Sequence, residues 1–195
     1  MGGVRDATLD AIEAALLTAG VATGTIAPTV LAPVVGWAKT QVQRNRSKFK
    51  SLPELVVSSL KPHFKYSSPT FGTFDLNKIR YANNASGVPS GFAGITFENH
   101  ILFSSAIDFE NKADVQLLIH EIQHSYQYFV VGGLLPFLIK YAVNGSLQII
   151  GGLNPHKDMN LEREARNKPN EIMDDVFPFG RTTAPVSATN HTITF

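Results

Sequence analysis

Residues 112–130 read Lys112-Ala-Asp-Val-Gln-Leu-Leu-Ile-His-Glu-Ile-Gln-His-Ser-Tyr-Gln-Tyr-Phe-Val130, the strongest helix signal in the chain. Val115, Leu118, Ile119, Ile122, Tyr126 and Phe129 recur at i, i+3, i+4 and i+7, which winds them into one apolar stripe. Gly132-Gly133 follows and predicts the helix end. On the side away from the stripe stands His120-Glu-Ile-Gln-His124, the pattern H-E-x-x-H. At about 100° per residue the two histidines lie one turn apart and about 40° apart around the axis, so both imidazoles reach one ion. Glu121 projects about 100° to the side, beside such an ion rather than at it, where a base acting on activated water belongs. Gln127 falls back on the histidine face. The competing reading is a solvated surface bearing two histidines and a glutamate by coincidence. The orientation against the core stripe favours the first, with one Zn2+ held by His120 and His124.

Working outward, Gly94-Ile-Thr-Phe97 and His100-Ile-Leu-Phe103 read as two strands joined tightly through Glu98-Asn99. Ile79–Ala82 is a further short strand in a Ser/Pro/Gly/Asn-rich stretch from Phe64 to Pro89. Helices are predicted over 7–19 and from Val34 into the basic run Arg44–Lys50. Another starts at Ser51-Leu-Pro-Glu54, with Ser51 as cap, and runs to Leu60. Downstream, a buried helix is expected over 135–143, resuming to 150, and a short one over 161–167 stopped by Pro169. The fold class expected is α+β, mostly helical, with a small antiparallel sheet packed on the H-E-x-x-H helix. The organisation expected is a helical segment over 1–62 (a pro-segment, lid or docking arm), a metal-binding domain over 63–180 and an extended tail over 181–195.

Composition narrows the chemistry. The chain has 195 residues with 44% hydrophobic content, enough for one sizeable core. Lys+Arg number 17 against 16 Asp+Glu, so no overall field selects nucleic acid as a partner. There is no cysteine, so thiolate sites are excluded and any metal rests on His and carboxylates. Two stretches, 14–38 and 129–153, are long enough to cross a bilayer. Both are interrupted by Gly and Pro, and membrane association is not favoured. The first follows Asp6, Asp10 and Glu13 rather than basic residues and reads poorly as a signal peptide, which leaves the cytoplasm or a non-classical export route.

A catalytic zinc site keeps three protein ligands and one open position. The third ligand is sought among His156, Asp158, Glu162, Glu164 and Glu171, and Leu161-Glu-Arg-Glu-Ala165 is best placed because it begins a new helix. Glu162 and Glu164 lie about 200° apart on a helix, so only one points at the ion. Tyr128, Tyr141, His156 and Arg163 are nominees for stabilising an oxyanion. His63, His100 and His191 are expected to be structural or exposed.

Ile95-Thr-Phe97, Ile101-Leu-Phe103, the segment Leu117–Tyr128, Gly133, Phe137, Tyr141 and Leu161-Glu-Arg-Glu-Ala165 together resemble a bacterial family of small H-E-x-x-H domains. That family is catalogued as zinc metallopeptidases of unknown function, related to the gluzincins and often attached to secreted toxins or contractile-injection cargo. The resemblance spans about residues 75–168. It implies a minimal gluzincin-like metallopeptidase acting on a peptide or protein substrate, with an extended peptide paired to the strand His100–Phe103 as an edge beside the active helix. In gluzincins of the CAAX type and their soluble relatives, the third ligand is the first Glu of E-x-x-A-D, which carries over to Glu162. Arg166 stands where that pattern has Asp, so the partner of a ligand histidine is missing or supplied elsewhere. The departure leaves an alternative: a zinc-binding targeting module of an exported cargo protein with weak or no turnover.

Overall fold

Ile101, Leu102 and Phe103 follow one another without a polar residue, and all three are fully buried. Successive side chains on a strand point to opposite faces, so such a run needs an apolar layer on each side. The protein supplies both. Its structure, a computed structural model, describes residues 28–140 and 160–179. The chain runs through α1 (Pro28–Arg44), β1 (Lys50–Ser51), α2 (Glu54–Leu60), a hairpin of β2 (Ser67–Ser68) and β3 (Gly72–Thr73), then β4 (Arg80–Ala82), β5 (Gly94–Phe97), β6 (His100–Phe103), α3 (Lys112–Val131) and α4 (Asn160–Val176). The fold is α+β and mostly helical. The helix predicted over 7–19, the stretch 141–159 with Tyr141, His156 and Asp158, and the tail with His191 lie outside the described residues.

Ile101 and Phe103 face the main core, where they meet Leu118, Ile119 and Ile122 of α3 and Ile172 and Met173 of α4. Leu102 faces the other way and joins Ala82, Phe97 and Ala38, with Trp37 packed edge-on to Phe97 at 5.4 Å. The layers are therefore α1, sheet, and the α3–α4 pair. Leu52, Val56, Val57 and Leu60 belong to the same main core as Phe64 and Met173. The boundary expected at residue 62 thus coincides with no break in packing.

The sheet order is β1-β4-β6-β5. The β5–β6 hairpin is antiparallel, as predicted, with Thr96 opposite Ile101. β4, however, pairs parallel with β6, placing Tyr81 beside Ile101, so the sheet is mixed rather than antiparallel. The reason is non-local. The connection over 83–93 carries the chain past the neighbouring position to the far edge, and β6 then returns into the gap. A second correction follows. β6 is interior, and the edge strand beside α3 is β5.

Two helix boundaries also differ from expectation. Ser51 does not cap α2; it pairs with Arg80 in the sheet, and Pro53 occupies the capping position without a side-chain bond. Pro169 does not stop α4, which continues through it to Val176. Leu161, Ala165, Pro169, Ile172, Met173 and Val176 form one buried stripe along α4. Proline inside a helix costs about 3 kcal/mol, whereas burying Ile172, Met173 and Val176 returns about 1.5–3 kcal/mol apiece. Burial wins. The stretch 134–140 is helical as expected, but among its residues only Phe137 is buried and Leu135 is exposed. Among the described residues, no helix is long and apolar enough to cross a membrane.

Candidate metal centre

The geometry of α3 begins at its caps. Asn111 Oδ1 accepts from the backbone N–H groups of Ala113 at 2.9 Å and Asp114 at 3.3 Å. The helix ends at Gly132, whose φ of +94° only glycine adopts readily. Between these caps the predicted stripe packs on the sheet. The opposite face is also covered, because α4 lies along it. His124 and Glu121 are buried, and His120 is half-buried.

His120, His124 and Glu162 each present one ligand atom within 4.8 Å of the others, and they are the group so arranged among the described residues. The two Nε2 atoms face each other at 3.2 Å. Glu162 Oε1 lies 3.5 Å from His124 Nε2, and Oε2 lies 3.8 Å from His120 Nε2. Two nitrogens bound tetrahedrally to zinc at about 2.0–2.1 Å are themselves about 3.3 Å apart. The donor set fits.

The hydrogen-bond network also fixes which ring atoms are free. Gln127 Nε2 donates to the Leu161 carbonyl at 2.9 Å and to Glu164 Oε2 at 3.0 Å. With its amide nitrogen so committed, Gln127 turns Oε1 toward His124 Nδ1 at 3.0 Å. An oxygen can only accept, so Nδ1 carries the proton and Nε2 keeps its lone pair. The backbone of Ala165 favours the protonated form of His120, whose Nε2 is turned into the cluster. His124 thus presents an unprotonated Nε2 to Glu162. The charge state agrees. Burial, reinforced for His120 by the neighbouring His124, lowers both imidazoles from 6.5 to about 4, so they are neutral near pH 7 as metal ligands must be.

Glu121 stands apart from this trio. Its Oε2 accepts from the Thr96 hydroxyl of β5 at 2.7 Å. Burial raises its carboxyl from 4.5 to about 7, against the Thr96 bond that lowers it, with Glu162 adding a smaller upward push. β5 comes so close that a Cβ on Gly94 would lie 2.8 Å from Glu121 Oε1. A cleft of about 420 Å³ opens between this strand and the helices, with Gly94, Phe92, His120, Glu121, Arg166 and Asn170 on its walls.

No family model, curated protein or solved structure matches this chain.

Of the residues singled out from sequence, His120, His124 and Glu162 come together and Glu121 lines the adjoining cleft. Glu164, the second acid of Leu161-Glu-Arg-Glu-Ala165, instead holds Gln127. Glu171 is directed to Lys168 at 3.7 Å. Tyr128 is buried and donates to the Thr96 carbonyl at 3.2 Å, so it ties β5 to α3 rather than lining the cleft. Arg163 is exposed and bonds Asn160 Oδ1 at 2.7 Å. His63 is half-buried outside the cluster, and His100 stacks edge-on against Phe49 at 4.9 Å. Reading the sequence overlooked Thr96 and Gly94. Only Gly94 left a signal, since glycine within a strand marks a close backbone approach.

Proposed function

We propose that this chain is a zinc-dependent metallopeptidase in which His120, His124 and Glu162 hold one Zn2+ and Glu121 is the general base. The observation that carries the reading is the pair of Nε2 atoms, 3.2 Å apart and both turned to one Glu162 carboxylate. When bound, the ion supplies Lewis acidity, polarising a carbonyl and lowering the pKa of a water it holds to about 7. Glu121, at about 7, is matched to taking a proton from water near neutral pH and delivering it to the leaving amine. Thr96 keeps the accepting carboxylate in place. Among the described residues β5 is an edge strand of the sheet and borders the cleft, so its outward backbone groups, apart from the Thr96 carbonyl that Tyr128 occupies, are the ones an extended peptide would pair with. The resemblance to H-E-x-x-H metallopeptidase domains supports the same reading. The idea of an inactive zinc-binding module drew on Arg166 in place of Asp. It weakens because Gln127 orients the His124 imidazole instead.

The test is metal analysis of the purified protein with peptide hydrolysis assays on wild type and Glu121→Gln. One equivalent of zinc is expected in both proteins, with hydrolysis lowered about 10²–10⁴-fold in the variant. Wild type without stoichiometric zinc, or a variant cleaving at the parental rate, overturns the proposal.

A further inference from the structure

Gln127 stands between α3 and α4 with both ends of its amide engaged. Its Oε1 meets His124 Nδ1 at 3.0 Å, while Nε2 donates to the Leu161 carbonyl at 2.9 Å and to Glu164 Oε2 at 3.0 Å. An amide turned end for end keeps its shape, so its neighbours must choose which atom the imidazole meets. The choice comes from α4. Leu161 and Glu164 present two acceptors, one for each proton of the amide nitrogen. Turning the amide over would set Oε1 against both oxygens and bring Nε2 to His124. The imidazole would then need its lone pair on Nδ1 and would carry its proton on Nε2. That atom is the one lying 3.2 Å from His120 Nε2 and 3.5 Å from Glu162 Oε1, where a proton and a metal ion exclude each other. Gln127 is buried, so a lost bond there is not freely made good by water. Glu164 is exposed and lies outside the core cluster.

We propose that Glu164 is a positioning residue of the metal centre: from α4 it locks the Gln127 amide, so that His124 keeps its proton on Nδ1 and its lone pair on Nε2. The proposal rests on the zinc reading of the site. Ligand histidines commonly give their second N–H to a carboxylate or a carbonyl. Here both kinds of acceptor are present, one amide removed from the ring. α4 thereby serves the centre twice, as the source of a ligand through Glu162 and of the ring's tautomer through Glu164 and the Leu161 carbonyl. Two acids that leave one turn in different directions each acquire a separate task, and that of Glu164 is not ligation.

Zn2+ and Co2+ affinities from chelator competition test it on wild type, Glu164→Ala, Glu164→Gln, Gln127→Ala and the double Ala variant. Gln127→Ala is expected to bind about 10–100-fold more weakly and Glu164→Ala about tenfold more weakly. Metal-free melting of Glu164→Ala is expected to stay close to wild type. Glu164→Gln is the rescue: its own amide oxygen accepts the same bond, but a neutral amide is not among the usual zinc donors. Its affinity is expected within about threefold of wild type. The double variant is expected to bind no more weakly than Gln127→Ala, because a residue acting through Gln127 has nothing to act on once Gln127 is gone. In the metal-free proteins above pH 7, nitrogen NMR is expected to place the His124 proton on Nδ1 in wild type and Glu164→Gln. In Glu164→Ala it is expected to be shared between both nitrogens. Equal affinity of wild type and Glu164→Ala, with wild type binding one metal, overturns this proposal and leaves the zinc reading intact. A Glu164→Gln protein as weak as Glu164→Ala makes the acid a ligand or a bare charge and also overturns it. A wild-type chain that binds no metal overturns both.

Discussion

Glu121 sits in a place where its ionised form is disfavoured and the two histidines in places where theirs are, and the two effects have opposite signs in pH. His120 and His124 fall from 6.5 to about 4 on folding, so their contribution is present above pH 6.5 and lost as pH falls toward 4. Glu121 rises from 4.5 to about 7, so its contribution is present below 4.5 and lost as pH rises through 7. Raising a carboxyl by that much costs the ionised form about 3 kcal/mol. In the metal-free protein, Glu121→Gln is therefore expected to gain about 3 kcal/mol over wild type at pH 8, a gain that fades toward pH 4. Denaturant unfolding under chelator at both pH values checks it. A difference independent of pH would mean that burial does not hold the carboxyl up.

Among the elements, β5 and α3 meet more intimately than any hydrophobic pattern requires. Thr96 reaches both the carboxylate and, at 3.2 Å, the carbonyl of Glu121, while Tyr128 returns a bond from α3 to the Thr96 carbonyl. Gly94 completes this contact by leaving room for the carboxylate. Gly94→Ala is expected to displace Glu121 without touching the ligands, lowering hydrolysis at least about tenfold while zinc affinity stays within about threefold. The overpacking is expected to cost about 1–3 kcal/mol of stability. Parallel rate and metal titrations test the split; a loss of zinc affinity equal to the loss of rate would show that the strand supports the whole cluster rather than the base.

For the molecule as a whole, the proposed metal ligands join two helices that the core already holds together. His120 and His124 come from α3 and Glu162 from α4, whose Ile172 and Met173 share the main core with Leu118 and Ile122. On the zinc reading, folding is expected not to depend on the ion, and the ion is expected to stabilise what is folded. At a free zinc concentration of 100 times Kd the gain is about 2.7 kcal/mol, or roughly 5–10 °C in a chain of this size. Glu162→Ala is expected to abolish most of that shift while its metal-free melting stays close to wild type, because Glu162 is only partly buried and lies outside the core cluster. Thermal scans with zinc and with chelator decide, and a Glu162→Ala protein that still gains the full shift would remove Glu162 from the ligand set.

The H-E-x-x-H helix, its glycine end and its orientation were legible in the linear chain because helical spacing is a local property: His120, Glu121 and His124 follow from 3.6 residues per turn. The β5–β6 hairpin was equally local. The neighbour of β6 was not, since whether β4 or solvent lies beside Ile101 depends on how the 83–93 connection crosses the sheet. Pro169 shows the same limit. Local propensity predicts a stop, and the buried stripe beyond it, visible only once α4 meets its neighbours, carries the helix onward. Helical spacing alone left Glu162 and Glu164 open and only the resemblance preferred Glu162; in the packed pair of helices Glu162 joins the two histidines while Glu164 holds Gln127. Periodicity within a segment belongs to the order of residues along the chain, whereas partners brought from a distance are selected by burial of the whole core.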